Sequence, residues 1–403
     1  MPKQADATLR VISSLSEVAR ADWDACANPG WASERPLDRP CRTTAAFAYN
    51  PFISYDFLST LEESGTATGK TGWLGQHLVL DGADGRPAAV MPCYLKSHSM
   101  GEYVFDYGWA DAFERAGGRY YPKLQTSVPF TPVTGRRLLV GDGPDAHRRR
   151  HLLALGAASL AERHKVSSLH VTFAPEDEWR ILGEYDYLQR TGKQFHFVNE
   201  GYRDFDDFLA NLASRKRKTI KRERRDALAS GVVVDWLTGS DLNERVWDAF
   251  FEFYIDTGSR KWGRPYLNRR FFSMISERMS DRILLILARR SDRPIAGALN
   301  FIGSNTLYGR NWGTIDDQPF LHFELCYYQA MQWAIDHGLT YVEAGAQGEH
   351  KLARAYRPTT TYSAHWIANP SFRRAVADFL DYERKDVARE SAMLADFMPF
   401  RKE

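Results

Sequence analysis

The densest run of reactive side chains is EAGAQGEHK, where Glu343, Gln347, Glu349, His350 and Lys351 fall within nine residues. Carboxylate, imidazole and ammonium groups gathered this closely suit proton transfer and the stabilisation of an oxyanion. Glu349 or His350 suits the proton, and Gly345 with Gly348 favours the tight loop that would gather these groups. Upstream, Tyr308, Arg310 and Trp312 alternate, so a strand would put all three on one face. A guanidinium between two flat rings suits a carboxylate or phosphate group, and an Arg is costly to bury unpaired. His322 and Glu324 follow at the start of a helix, where Glu324 would answer the helix dipole. A third concentration lies at residues 215 to 225, with eight Lys or Arg against one Glu. Arg215, Lys216, Arg217, Lys218, Lys221 and Arg222 in this run could hold a tRNA backbone or the diphosphate of a nucleotide-linked acceptor. In the first half Tyr103, Phe105, Tyr107 and Trp109 repeat the aromatic alternation without an Arg, with Lys96 and His98 nearby.

Other chemistries find no support. The cysteines, Cys26, Cys41, Cys93 and Cys326, show neither C-x-x-C nor zinc spacing, and Glu349-His350 alone is not a metal-ligand motif. No G-x-S-x-G elbow is present. With a net charge of +2 the chain as a whole is no polyanion binder, so any basic patch is local. No apolar run approaches the roughly 20 residues that cross a bilayer. The start, MPKQADATLRVISSL, lacks the apolar core of a signal peptide, and the expected location is the cytoplasm.

At 403 residues two domains are the expectation. The first half reads as a strand at Thr8–Ile12, a helix near Glu17–Cys26, a Pro-, Arg- and Thr-rich loop over residues 28 to 44, and a helix between Asn50 and Gly65. Strands follow at His77–Leu80 and Ala88–Tyr94, joined at Asp84-Gly85, with a third at Tyr103–Tyr107. A helix at Ala146–His164, the strand Ser168–Phe173, a helix at Glu176–Leu182 and the strand Gln194–Val198 complete it. The second half opens with one long helix from Phe205 to Gly231 and a β-branched strand. Helices at Leu242–Thr257 and Leu267–Met279 precede strands at Ile283–Arg289, Ile295–Ile302 and Thr306–Trp312. The helix His322–His337, the strand Thr340–Ala344 and a last helix at Ser371–Arg389 end the chain.

A weak internal repeat links the halves. HLVLDGADGRPAAVMPCYL, EYVFDYGW, LLALGAASLAERHKV and SSLHVTF answer ILLILARRSDRPIAGALNF, TLYGRNWG, LHFELCYYQAMQWAIDHGL and TYVEAGA. The first half carries about 34 more residues between its third strand and its helix. Strand–strand–strand–helix–strand is the central order of the GNAT acyltransferase fold, in which two parallel strands splay apart to admit the acyl donor.

The second half resembles the Fem aminoacyltransferases in several segments. FLANLASRKRKTIKRERRDALASGV is similar to their helix of recurring Arg and Lys, and FYIDTGSRKWGRPYL to their Phe-Tyr, Thr, Arg segment. YYQAMQWAIDHGLTYVEAGA resembles their helix with a Trp-Ala stretch, and EHKLARAYRP stands where they carry a Phe-Lys-x-Gly-Phe element. The whole chain thereby resembles the FemAB-like branch of GNAT proteins connected with peptidoglycan biosynthesis or recognition. The resemblance implies an α/β (α+β) protein of two tandem GNAT-like lobes, residues 1–199 and 200–403, each a mixed central sheet flanked by helices. It implies acyl transfer in the second lobe, Lys351 stabilising the oxyanion, and a first lobe reduced to an acceptor platform, with Trp109 on it. Two departures stand out. The coiled-coil arm of cell-wall Fem enzymes is absent between about 200 and 280. In place of the glycine-rich loop of CoA-using enzymes stands GTIDDQPFLHF, whose Asp316 and Asp317 would repel a pyrophosphate. The implied donor is aminoacyl-tRNA, with no tightly bound cofactor, and the acceptor an amine on a cell-wall precursor, peptide or small molecule. The alternatives are an acyl-CoA-dependent N-acyltransferase and a non-catalytic module that binds a muropeptide or nucleic acid.

Overall fold

The computed structural model describes residues 8–31, 47–261, 265–345 and 348–400. In the first half β1 (Leu9–Ile12), α1 (Arg20–Ala27) and α2 (Tyr55–Glu63) precede β2 (Trp73–Gly75), β3 (His77–Asp81), β4 (Pro87–Met91) and β5 (Tyr94–Lys96). Then come α3 (Tyr107–Arg115), β6 (Lys123–Thr126), β7 (Leu139–Val140), α4 (Ala146–His164), β8 (Ser168–Ala174), α5 (Glu176–Gly183) and β9 (Leu188–Val198). The second half holds α6 (Phe205–Ala210), α7 (Ser214–Ala227), β10 (Val232–Leu237), α8 (Glu244–Lys261), α9 (Arg269–Met279), β11 (Ile283–Arg290), β12 (Arg293–Ile302) and β13 (Thr306–Thr314). A continuous helix follows, in which α10 (Leu321–Phe323) and α11 (Gln329–Asp336) flank a π-helical stretch at Glu324–Tyr328. β14 (Tyr341–Glu343), β15 (Arg357–Ile367) and α12 (Pro370–Ala395) complete the order.

Local chemistry sets several of these boundaries. Ser54 accepts from the Phe57 amide to start α2, and Asn369 accepts from Phe372 with Pro370 in the first turn of α12. The β3–β4 turn places Gly85 at φ 78°, where a Cβ would be strained. In β11, Ile283, Leu285 and Leu287 enter one core while Leu284, Ile286 and Ala288 enter another, so the strand is apolar throughout because both faces are covered.

The long helix expected from Phe205 to Gly231 is two helices. Between them Leu212 bridges to Phe400 and the Ala213 amide donates to Pro399 O at 2.9 Å, so tertiary bonds replace the helical ones. The strand expected at Tyr103–Tyr107 is absent. Tyr103 sits at φ 61°, and Tyr107 and Trp109 belong to α3, which ends their strand-like alternation. The third strand of this half is instead β6, resumed as β7 against β4.

Two sheets result: a four-stranded one in the order β1-β3-β4-β7, and an eleven-stranded one in the order β10-β11-β12-β13-β14-β9-β15-β8-β6-β5-β2. Among the described residues only β13/β14 and β6/β8 pair parallel. Each parallel pair closes a strand–strand–helix–strand unit, the tandem GNAT-like arrangement of a mixed sheet with helices on both sides. At the centre the halves exchange strands. β9, from the first half, pairs β14, while β15, from the second, lies between β9 and β8. An aromatic core also crosses the seam, with Phe52 at 4.9 Å from Phe301 and Phe57 at 6.0 Å from Phe271.

The two parallel pairs are not alike. β6 stops at Thr126 opposite Val171 while β8 continues to Ala174. The gap so opened is filled by residues 127 to 138. Arg137, fully buried, donates to the carbonyls of Thr172 (3.0 Å), Gly135 (2.8 Å), Arg136 (3.0 Å) and Val133 (2.6 Å). The backbone groups that a ligand would meet are thus satisfied by the protein itself.

Candidate functional site

Among the described residues the second gap is left open. β13 pairs β14 from Thr306↔Tyr341 to Tyr308↔Glu343 and then parts from it, though β13 runs on to Thr314. At the parting point β13 carries a bulge: Asn300 faces Gly309 and Leu299 faces Asn311, leaving Arg310 as the extra residue. The bulge corrects the expected alternation. Tyr308 and Arg310 lie on the side of the Phe52 core, with Arg310 4.7 Å from the Phe52 ring and 5.5 Å from that of Tyr308. Trp312 emerges on the opposite side, packed at 5.2 Å against the His322 ring. A cavity of about 90 Å³ at the gap is lined by Arg310, Trp312, His322, Cys326 and Tyr327 among others.

Arg310 is buried and reaches Glu343 at 3.4 Å and Gly309 O at 2.8 Å, while its Nε has no hydrogen-bond partner among the described residues. Burial lowers its pKa, opposed by Glu343. Thr134, from the first half, donates to the other oxygen of Glu343 at 2.6 Å. Directly across the ladder from Glu343 stands His196 of β9. Its Nε2 meets Gln194 Oε1 at 3.1 Å, and Gln194 in turn donates to Pro132 O at 2.8 Å. Burial lowers the His196 pKa against the raising influence of Glu343, so the ring is neutral at pH 7. Neither Thr134 nor His196 was singled out by motif. Yet QFHFV alternates, and its His is the polar residue between two core phenylalanines.

Lys351 lies on the 3-10 helix Glu349–Arg354 and is 1 % exposed. Its ammonium donates to Gly345 O at 2.9 Å. Burial brings its pKa down to about 8, with Cys326 opposing and Arg310 reinforcing. His350 is exposed, and its Nε2 lies 2.9 Å from the Tyr327 hydroxyl. Gln347 and the side chain of Glu349 lie outside the described residues. Lys351, Arg310, Glu343 and His196 thus form one group at the mouth of the gap, with His350 on its rim.

The basic helix is joined to this segment. Glu223 of α7, itself buried, accepts from Arg354 at 2.9 Å and from Tyr328, and Arg354 also donates to His350 O at 2.9 Å. Arg224 is taken up by Glu324 at 2.9 Å, which corrects the helix-dipole reading of that buried glutamate. Lys221 pairs with Asp206 at 3.3 Å and Arg225 with Asp226 at 2.8 Å. Arg215, Lys216, Arg217, Lys218 and Arg222 have no ion pair among the described residues. Arg215 and Lys216 line a cavity of about 380 Å³ together with Tyr328 and Arg354.

At the other end of the gap the loop before α10 is closed by Arg290, which reaches Asp316 at 2.6 Å and Gln318 at 3.0 Å. Asp316 and Asp317 line a cavity of about 360 Å³ with Trp312 and His322. Trp109 is elsewhere. It is buried in the first half against His365 at 4.9 Å, with Arg190 over its ring at 5.2 Å. Lys96 lies beneath the surface over Trp73 at 3.5 Å, and His98 meets Thr71 O at 3.1 Å. Both flank a buried network in which Lys123 binds Glu102 at 2.6 Å and Asp106 at 2.5 Å. Among the described residues no group of three or more His, Cys, Asp or Glu could hold a metal ion, and no helix is long and apolar enough to cross a membrane.

Comparison with solved structures gives the following matches. A conserved protein of unknown function from Bacteroides thetaiotaomicron VPI-5482 matches with a TM-score of 0.53 at 10% identity, covering 90% of this chain and 100% of that one. FemX matches with a TM-score of 0.49 at 13% identity over 80% and 94% of the two chains. A tandem GNAT protein from the clavulanic acid biosynthesis pathway matches with 0.45 at 12% identity over 91% and 99%. No curated protein matches the sequence. The model of the FemAB-like family, described as peptidoglycan biosynthesis/recognition, matches residues 14–402, and the chain belongs to that family.

Proposed function

We propose that the chain is an acyltransferase that moves an aminoacyl group from aminoacyl-tRNA to an amine acceptor. The observation that carries this reading is the junction of two features. The buried Lys351–Arg310 group lies at a strand gap that the described residues leave open, and a helix carrying five cations without an ion pair among the described residues is pinned beside it through Glu223 and Arg354. An ester is already activated, so the protein need only position the two reactants and stabilise the oxyanion. Lys351 serves as the cation for that charge. Arg310 holds an anionic group of a substrate or shares the oxyanion. Asp317, next to an Asp316 already paired with Arg290, disfavours a donor that must seat a pyrophosphate there, which sets acyl-CoA second. The acceptor approaches from the side of the first half, where Thr134 and His196 reach the site.

The test is to incubate the protein with labelled aminoacyl-tRNA pools and, separately, with labelled acetyl-CoA, each with a cell extract as acceptor source. Label passing from the tRNA pool to an amine supports the proposal. Transfer from acetyl-CoA alone overturns the donor, and transfer from neither favours a module that binds a muropeptide or nucleic acid without turnover.

A further inference from the structure

We infer that His196, carried into the second half's site by a strand of the first half, is the general base that removes the proton from the attacking amine. The inference rests on the transfer reading above and names the group that this reading lacks. His196 stands level with Glu343, the last β14 residue paired to β13, so it flanks the point where the gap opens. Gln194 presents only an oxygen to its Nε2, which fixes the proton there and leaves Nδ1 as the lone-pair nitrogen. Among the described residues Nδ1 has no partner. Of the other described groups nearby, Glu343 accepts from Thr134 and Arg310, Lys351 is a donor, and His350 is exposed on the rim with its Nε2 at Tyr327. The charged neighbours of His196 are Glu343 on β14, Arg310 on β13, Lys351 on the 3-10 helix and, on β15, Arg357, which is directed to Glu200.

The step balances as follows. The acceptor, having lost its extra proton to solvent, attacks the acyl carbon through its nitrogen lone pair. As the C–N bond forms, the amine proton passes to His196 Nδ1 and the carbonyl oxygen becomes the oxyanion facing Lys351. Collapse breaks the ester C–O bond, the leaving oxygen takes a proton from Lys351, and proton exchange through solvent returns His196 and Lys351 to their starting states.

The experiment compares wild type, His196→Gln and His196→Gly in transfer from whichever labelled pool is active, across pH 5 to 9. His196→Gln keeps a polar atom near Gln194 but removes the base. A fall in kcat/KM of about 10²- to 10⁴-fold is expected. The acidic limb of the wild-type profile, lying below the ordinary His value, should vanish in this variant, and added imidazole should restore His196→Gly. Retention of rate within about threefold, or an unchanged acidic limb, overturns the role of His196 while leaving the transferase reading intact. A wild type inactive with both pools overturns the transferase reading and this inference together. Nitrogen-15 NMR of the wild-type imidazole gives a check that needs no turnover. A neutral Nε2–H tautomer at pH 7 supports the assignment, and a protonated ring or an Nδ1–H tautomer overturns it.

Discussion

Lys351 and the Arg310–Glu343 pair carry the residue-scale energetics. Lys351 titrates near 8 in the fold, against about 10.4 when exposed. Between those values the unfolded chain binds the extra proton, so stability rises as pH climbs through this window. Lys351→Met should therefore be more stable than wild type at pH 7, by on the order of 3 kcal/mol. That advantage should shrink as pH approaches 10.5, in urea titrations at each pH. The same variant should lose transfer by about 10²- to 10³-fold, the usual cost of one oxyanion donor. Glu343→Leu leaves Arg310 buried without its carboxylate and should cost about 3 kcal/mol, whereas Arg310→Met with Glu343→Leu should recover most of that loss.

The elements divide into those whose own residues dictate them and those that depend on distant partners. α4 matches its expected span, and β8, β11, β12 and the β3–β4 hairpin fall within a few residues of theirs, because periodicity and turn residues are local signals. β15 carries no such local signal, since RPTTTYSAHWI has little apolar alternation. Its neighbours on both sides are strands of the other half, and its His365 and Ser363 join buried polar contacts instead of an apolar core. The Arg310 bulge was equally hidden, for the extra residue is defined only by its partner strand. Of the candidate site, Lys351 and Glu343 were legible as a cluster of types at close spacing, and Arg310 as the cation of an aromatic alternation. Thr134 and His196 were not, because Thr134 is 209 positions from Glu343 and His196 meets it only through the strand exchange. At this same scale α7 should act as a separable contact. Lys216→Glu with Lys218→Glu should weaken tRNA binding and flatten its log–log salt dependence by about two units, measured by filter binding. The fold should be unaffected, since neither side chain forms an ion pair among the described residues.

On the scale of the whole molecule the two halves have become unequal through what fills their gaps. Arg137 and its loop satisfy the first gap's backbone from within. The described residues leave the second gap open, and the first half supplies Thr134, Gln194 and His196 beside it. Cutting the chain at residue 199 should therefore give no stable halves. A fragment of residues 1–199 lacks the strand that joins β8 to β9, and should show neither cooperative unfolding by circular dichroism nor a monomeric elution volume. Mixing it with residues 200–403 during refolding should restore both.

The position of β15 also gives the protein a schedule. The strand that locks β8 to β9 is made long after both, roughly 10–30 s later at about 5–20 residues per second on the ribosome. For that interval β8 and β9 present facing, unfilled edges to the crowded cell, in a chain whose later half is still emerging. Synonymous changes that slow elongation between the codons for Val198 and Arg357 should lengthen the exposure and lower soluble yield, although the finished sequence, and its stability once folded, stay the same.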